Sequence, residues 1–230
     1  MELKLDGVSN LTTGAGLASR PLVRLGRMRY EIITVPGRDG ELTREEGYEP
    51  TTIEVEFNWL EANQSNNAQA TRRKLSAWMQ GKRKLEMSDD PGFYYLITRI
   101  ENGALINDLK PYGRISYTFH CEPYQYQDQP AQTLSAAGTV NNPAPYAVQP
   151  VITINGNGTG NVIINGVTST AKNLVGSVVW DGIHQEAHKN GVTQNHNKVG
   201  PYPTLKPGSN SVSFTGGITS LKIEKRWAWR

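Results

Sequence analysis

GRISYTFHCEPYQY, Gly113–Tyr126, decides how this chain is read. Its centre sets His120, the single cysteine Cys121 and Glu122 in consecutive positions, a combination that would suit a metal site or a nucleophile with its base. The alternation around it argues otherwise. Successive side chains on a strand point to opposite faces, so Ile115, Tyr117, Phe119 and Cys121 share one face, while His120 and Glu122 lie on the other. Cys121 therefore reads as a small core residue that continues an apolar stripe. Pro123 is expected to end the strand, and Tyr124 and Tyr126 to pack the exit.

The same alternation recurs upstream. In TTIEVEFNWL (51–60), Ile53, Val55, Phe57 and Trp59 face one way and Glu54, Glu56 and Asn58 the other. RMRYEIITVPG (27–37) places Met28, Tyr30 and Ile32 on one face and stops at Pro36-Gly37; FYYLITRI (93–100) also reads as a strand. One helix is expected in SNNAQATRRKLSAWMQGK (65–82). Ser65 or Asn66 would cap it, Ala68, Thr71, Leu75 and Trp78/Met79 form its stripe, and Gly81 ends it.

Composition divides the 230 residues. Residues 1–128 hold 16 Lys/Arg and 18 Asp/Glu, a balance of −2, whereas 129–230 hold 8 and 3, a balance of +5. The expected organisation is a first domain over 1–130, a Pro/Ala/Gln/Asn-rich linker over 131–149, and a second domain over 150–230. The second reads as strands only: PVITING, GNVIING, GSVVWDG, SNSVSFTGG and TSLKIEKRWAWR. Asn-Gly or Asp-Gly pairs at 155–156, 165–166, 181–182 and 190–191 mark tight hairpins between them. Leu221, Ile223, Trp227 and Trp229 share a face of the last strand. The fold class is mainly β: an antiparallel barrel or sheet domain with one α-helix, followed by a β-sandwich.

Several classes of function are disfavoured. A net charge of +3 is too small to argue for nucleic-acid specificity. No 18-residue apolar run supports membrane insertion, and one cysteine cannot form an intramolecular disulfide. HQEAH (184–188) places Glu186 midway between His184 and His188, where neither zinc-protease pattern has it. On a strand the two imidazoles would share a face but stand about 13 Å apart, too far for one ion. GNGTG (156–160) precedes another strand, not the helix a dinucleotide loop must open. Asp89-Asp90 before Pro91-Gly92 reads as a turn. Trp180, Trp227 and Trp229 could stack on sugars, though core or interface packing suits their alternation better. No catalytic, cofactor-binding or metal site is expected, and the chain does not read as an enzyme.

VPGRDGEL after an alternating strand, TTIEVEF, the helix with Leu75 and Trp78, DDPGFYY and FHCEPYQY together resemble the N-terminal domain of siphophage distal tail proteins. GPYPTLKPGSNSVSFTG (200–216) is similar to that family's aromatic-Pro-x-Leu-x-Pro-Gly-x-Asn segment in its galectin-like C-terminal sandwich. VVWDGIHQEAH departs from the pattern, with Trp180 where an aliphatic residue is commoner. The resemblance implies a structural role. Such proteins form a hexameric ring joining the tail tube to the baseplate hub, with N-terminal belt domains making the ring. It implies as partners further copies of itself (a homo-hexamer), the tail tube protein, the tail-tip hub protein and the tape-measure protein. It also implies synthesis in the host cytoplasm and a place in the virion tail tip. Some relatives carry inserted carbohydrate-binding modules, for which this chain has no room.

VPGRDGELTREEGYEP (35–50) is long and polar for a hairpin. It reads as either a mobile loop or an arm that orders against a neighbour; Tyr48 and Pro50 beside the next strand favour the arm, with Arg38, Asp39, Arg44 and Tyr48 as the candidate contacts between subunits. The alternative is a carbohydrate-binding host-recognition protein of the tail tip, using Trp180 as its sugar contact.

Overall fold

The computed structural model describes residues 1–60, 68–107 and 112–230. The chain folds as two compact units, Met1–Gln125 with Arg230, and Tyr126–Trp229. The described residues form antiparallel β-structure with one α-helix, and no closed barrel is formed among them.

The first unit contains β1 (Leu3–Leu5), β2 (Val8–Ser9), β3 (Gly16–Leu17), β4 (Leu22–Arg24), β5 (Met28–Ile33), β6 (Leu42–Tyr48) and β7 (Thr51–Leu60). After α1 (Ala68–Met79) come β8 (Lys84–Met87), β9 (Phe93–Asn107) and the start of β10 (Tyr112–Leu134). β7 and β10 pair antiparallel, with Ile53 opposite Phe119, Val55 opposite Tyr117 and Phe57 opposite Ile115. The two apolar stripes read from the sequence thus meet across one ladder, and all of these side chains are buried. Their outward neighbours carry charge. Arg24 Nε lies 2.9 Å from Glu54 Oε1, and Arg114 Nη1 lies 3.3 Å from Glu56 Oε1.

The α1 stripe of Ala68, Thr71, Leu75, Trp78 and Met79 is buried. Trp78 stands edge-on to Phe57 at 6.0 Å between ring centroids, and its Nε1 donates to the Val8 carbonyl at 2.9 Å. That bond satisfies the one polar group an indole brings into a core. The expected caps, Ser65 and Asn66, lie outside the described residues.

Pro123 does not end its strand: β10 continues to Leu134. The reason lies in the ladder. Pairing with β7 stops at Cys121 opposite Thr51, so on that side Pro123 is past the last partner and its missing N–H interrupts nothing. The Thr51 hydroxyl instead donates to the Pro123 carbonyl at 3.3 Å.

The second unit takes the end of β10, then β11 (Gly138–Asn142), β12 (Val151–Ile164), β13 (Val167–Asp181), β14 (Glu186–Lys189), β15 (Val192–Thr193), β16 (Lys198–Val199) and β17 (Gly208–Trp229). Residues 131–149, expected to be a linker, therefore hold the last stretch of β10 and all of β11, which pairs with β17. β12 lies between β13 and β17, antiparallel to both.

The five short strands read from the sequence merge into fewer, longer ones. Asn155-Gly156 is no hairpin but a register shift inside β12. Gly156 has φ +155°, and a Cβ there would stand 2.0 Å from the Gly217 carbonyl oxygen, so glycine lets β12 and β17 close on each other at the irregularity. Asn165-Gly166 and Asn190-Gly191 do make the turns β12–β13 and β14–β15, with both residues of each pair at positive φ.

The unit's core includes Ile152, Ile154, Val162, Leu174, Trp180, Leu205, Leu221, Ile223 and Trp227, while Trp229 is only half-buried. Asn210, from the Pro-Gly-x-Asn segment, is buried and organises the loop before β17. Its amide nitrogen donates to the Lys206 and Gly208 carbonyls at 2.8 and 2.9 Å, and its oxygen accepts from Lys206 N at 2.8 Å.

Candidate assembly surface

β5 and β6 stand apart from the other strands as a two-stranded sheet of their own. Their register runs from Met28 opposite Tyr48 at the root to Ile33 opposite Leu42 near the turn, with one irregularity at Arg29/Tyr30. The root is tightly built. Gly26 is buried where a Cβ would come 1.7 Å from the Glu49 carbonyl oxygen, and Glu49 N donates to the Arg27 carbonyl at 2.8 Å. The Arg230 guanidinium lies 3.7 Å over the Tyr48 ring and donates to the Gly26 carbonyl. Tyr48 in turn meets Tyr124 edge-on at 6.1 Å. Burial, and after it the Tyr48 phenol, push the Tyr124 hydroxyl above its ordinary range, against the opposing pull of Arg230.

Beyond that root the hairpin is bare. Tyr30 is 55% exposed, Ile32 59% and Ile33 40%, and Val35 and Leu42 are also exposed. The sequence pattern placed Tyr30 and Ile32 on one face; the structure adds that apolar side chains on both faces of the hairpin are exposed among the described residues. An isolated two-stranded ladder is marginal in water, and it gains little from apolar side chains left wet on both sides. The one signal in the sequence was Ile32-Ile33, adjacent apolar residues that a strand must send to opposite faces.

Three of the four contact candidates sit on this exposed part. Arg38 lies in the turn, where its N–H donates to the Val35 carbonyl at 3.2 Å, and Asp39 follows it, also exposed. Arg44 faces Glu31 across the ladder at 3.6 Å, so its charge is engaged within its own hairpin. Tyr48 is different: it is half-buried at the root and packed by its own chain.

Trp180 is 1% exposed, in the core of the second unit, so its face is not presented for stacking on a sugar. The alternation that placed it on a strand could not tell an inward from an outward face. Lys198 Nζ lies 5.4 Å over its ring. His184 is not on a strand but in the turn after β13, with Nδ1 2.8 Å from Asp181 Oδ2. Partial burial pushes the Asp181 carboxyl up, but the His184 ring, followed by the N–H groups of His184 and Ile183 that donate to it, outweighs burial and holds it below the usual range. Cys121 is buried, and desolvation raises its thiol to about 12. His120 turns to the other face, with Nε2 3.2 Å from Glu101 Oε2. Among the described residues no three His, Cys, Asp or Glu gather as a metal site would require.

What the described residues of the two units define is a protein of antiparallel β-sheets with one exposed two-stranded arm. Solved structures of the same fold come from phages. The SPP1 Dit (gp 19.1) protein, described as a paradigm of the hub adsorption apparatus in phages infecting Gram-positive hosts, superposes with a TM-score of 0.66 at 15% identity, covering 98% of each chain. A chain of the phage p2 baseplate in its activated conformation with Sr gives 0.52 at 8% identity, over 98% of this chain and 96% of that one. The same baseplate with Ca gives 0.51 at 8%, over 98% and 97%. The chain shares the fold of these proteins. No protein-family model and no curated protein matches it.

Proposed function

We propose that this protein is a structural component of a phage tail tip, a distal tail protein of the short form. In this reading residues 1–130 build a hexameric ring, residues 150–230 form the galectin-like outer domain, and the ring joins the tail tube to the baseplate hub. Its partners are then further copies of itself, the tail tube protein, the hub protein and the tape-measure protein, and it performs no catalysis.

The observation that carries the reading is the bare β5–β6 hairpin, on a fold shared along its length with SPP1 Dit. Apolar side chains exposed on both faces of a two-stranded ladder call for a covering surface. A heterologous contact, in which one copy's arm meets a different patch on the next, closes into a ring when the rotation allows. Native mass spectrometry and negative-stain imaging of the purified chain test it. A ring is expected, and deletion of residues 37–47 should reduce it to single subunits. A ring that survives the deletion would remove the arm from the joint, and a solitary subunit at every concentration would end the reading.

A further inference from the structure

The first unit has a concave surface of about 720 Å³ lined by Arg24, Arg27, Arg29, Arg99 and His120, with Glu49 the single acid among its lining residues. Three of these groups already have partners: Arg24 pairs with Glu54 at 2.9 Å, and Arg99 and His120 each meet Glu101 at 3.2 Å. Arg27 and Arg29 are exposed and take part in none of the ion pairs found among the described residues. Leu25, itself exposed, and Pro50 add an apolar part to the lining. A cavity of this make-up fits a segment that brings carboxylates on an apolar support.

The hairpin has that composition. Between Glu31 and Glu46 five acids (Glu31, Asp39, Glu41, Glu45 and Glu46) stand against Arg38 and Arg44, and Arg44 is turned to Glu31. Asp39 and Glu41 sit at the turn, beside the exposed Ile33, Val35 and Leu42. This turn cannot fill the cavity of its own subunit. The cavity lies at the hairpin's root, where Arg29 and Glu49 are, and β5 has six residues, which at about 3.3 Å each hold the turn about 20 Å away. Each copy thus carries an acidic, apolar tip and a basic root that are out of each other's reach, the asymmetric pair that a head-to-tail joint needs.

We propose that the hairpin turn of one copy seats in the arginine cavity of the next, with Asp39 and Glu41 against Arg27 and Arg29 and the aliphatic side chains against Leu25. The guanidinium groups present planar, paired donors suited to carboxylates and retain their charge when water is excluded. The inference rests on the ring reading and names the two sides of its joint.

The test is a charge exchange in the full-length chain. One variant carries Arg27→Glu and Arg29→Glu, and the other carries Asp39→Lys and Glu41→Lys. Each alone should raise the subunit dissociation constant by about tenfold or more in sedimentation velocity, with the thermal midpoint of the dilute subunit unchanged. Mixed in equal amounts, they should assemble again, because each acidic element then meets a basic one, and the mixed oligomers should alternate by native mass spectrometry. Variants that assemble alone like the parent, or a mixture that stays apart, would overturn the docking while leaving a ring made by other contacts. A parent chain that never associates would overturn the ring reading and this inference with it.

Discussion

Replacing Ile32 and Ile33 with threonine separates the fold of the subunit from its assembly. Threonine keeps the β-branch, so the strand preference of β5 is retained. Each change exchanges two carbons for a hydroxyl, about 1.6 kcal/mol of transfer free energy if fully buried at about 0.8 kcal/mol per CH₂. In the single subunit Ile32 is 59% and Ile33 40% exposed, so only these fractions remain to be covered when copies join. Scaling gives about 1 kcal/mol for Ile32 and about 0.6 kcal/mol for Ile33, together about fifteenfold in the dissociation constant per joint. On the same scale the fractions already covered within the subunit lose about 1.6 kcal/mol, an upper bound on the change in subunit stability. A concentration series in sedimentation velocity measures the first quantity, and urea unfolding at the lowest concentration measures the second. Unchanged association, or a loss of stability in the dilute subunit beyond that bound, would refute the view that these side chains are largely exposed in one copy and covered between copies.

Other outcomes follow from single side chains. Cys121 should resist a thiol reagent in the native protein and react fully in urea, and Cys121→Ser should leave the oligomeric mass unchanged. Because burial raises this thiol from its ordinary 9.0 to about 12, the neutral form is favoured in the fold. Its contribution is therefore present below about pH 9 and is lost as the pH climbs towards 12, since the unfolded chain releases the proton first. Urea midpoints that held steady or rose over that window, relative to Cys121→Ser, would contradict the assignment. Asn210→Ala should cost about 1–3 kcal/mol, because it strands the buried partners of the loop before β17. An unchanged urea midpoint would show that the loop is held by other means.

Much of the first unit could be read from spacing. The stripes Ile53–Val55–Phe57–Trp59 and Ile115–Tyr117–Phe119–Cys121 are buried as the alternation requires, and the α1 stripe is the one its helical spacing predicts. His120 and Cys121 part company for the same reason, since neighbours on a strand cannot share a face. The second unit was harder. Asn155-Gly156 and Asn165-Gly166 are the same dipeptide, yet one is an irregularity in mid-strand and the other a hairpin turn. The difference lies in Gly217, brought close by a strand some sixty residues later in the chain.

Periodicity belongs to the amino-acid sequence because it depends only on the geometry of neighbouring residues. It determined that this chain makes strands and a helix, and which side chains share a face. Whether a face is covered depends on what the rest of the chain sets opposite it, and that was decided only by the tertiary structure. Trp180 and Tyr30 both lie on alternating strands, but one is closed over by its own unit while the other is left in water. The free energy of an apolar side chain is set by the surface around it, and no local pattern records that surface.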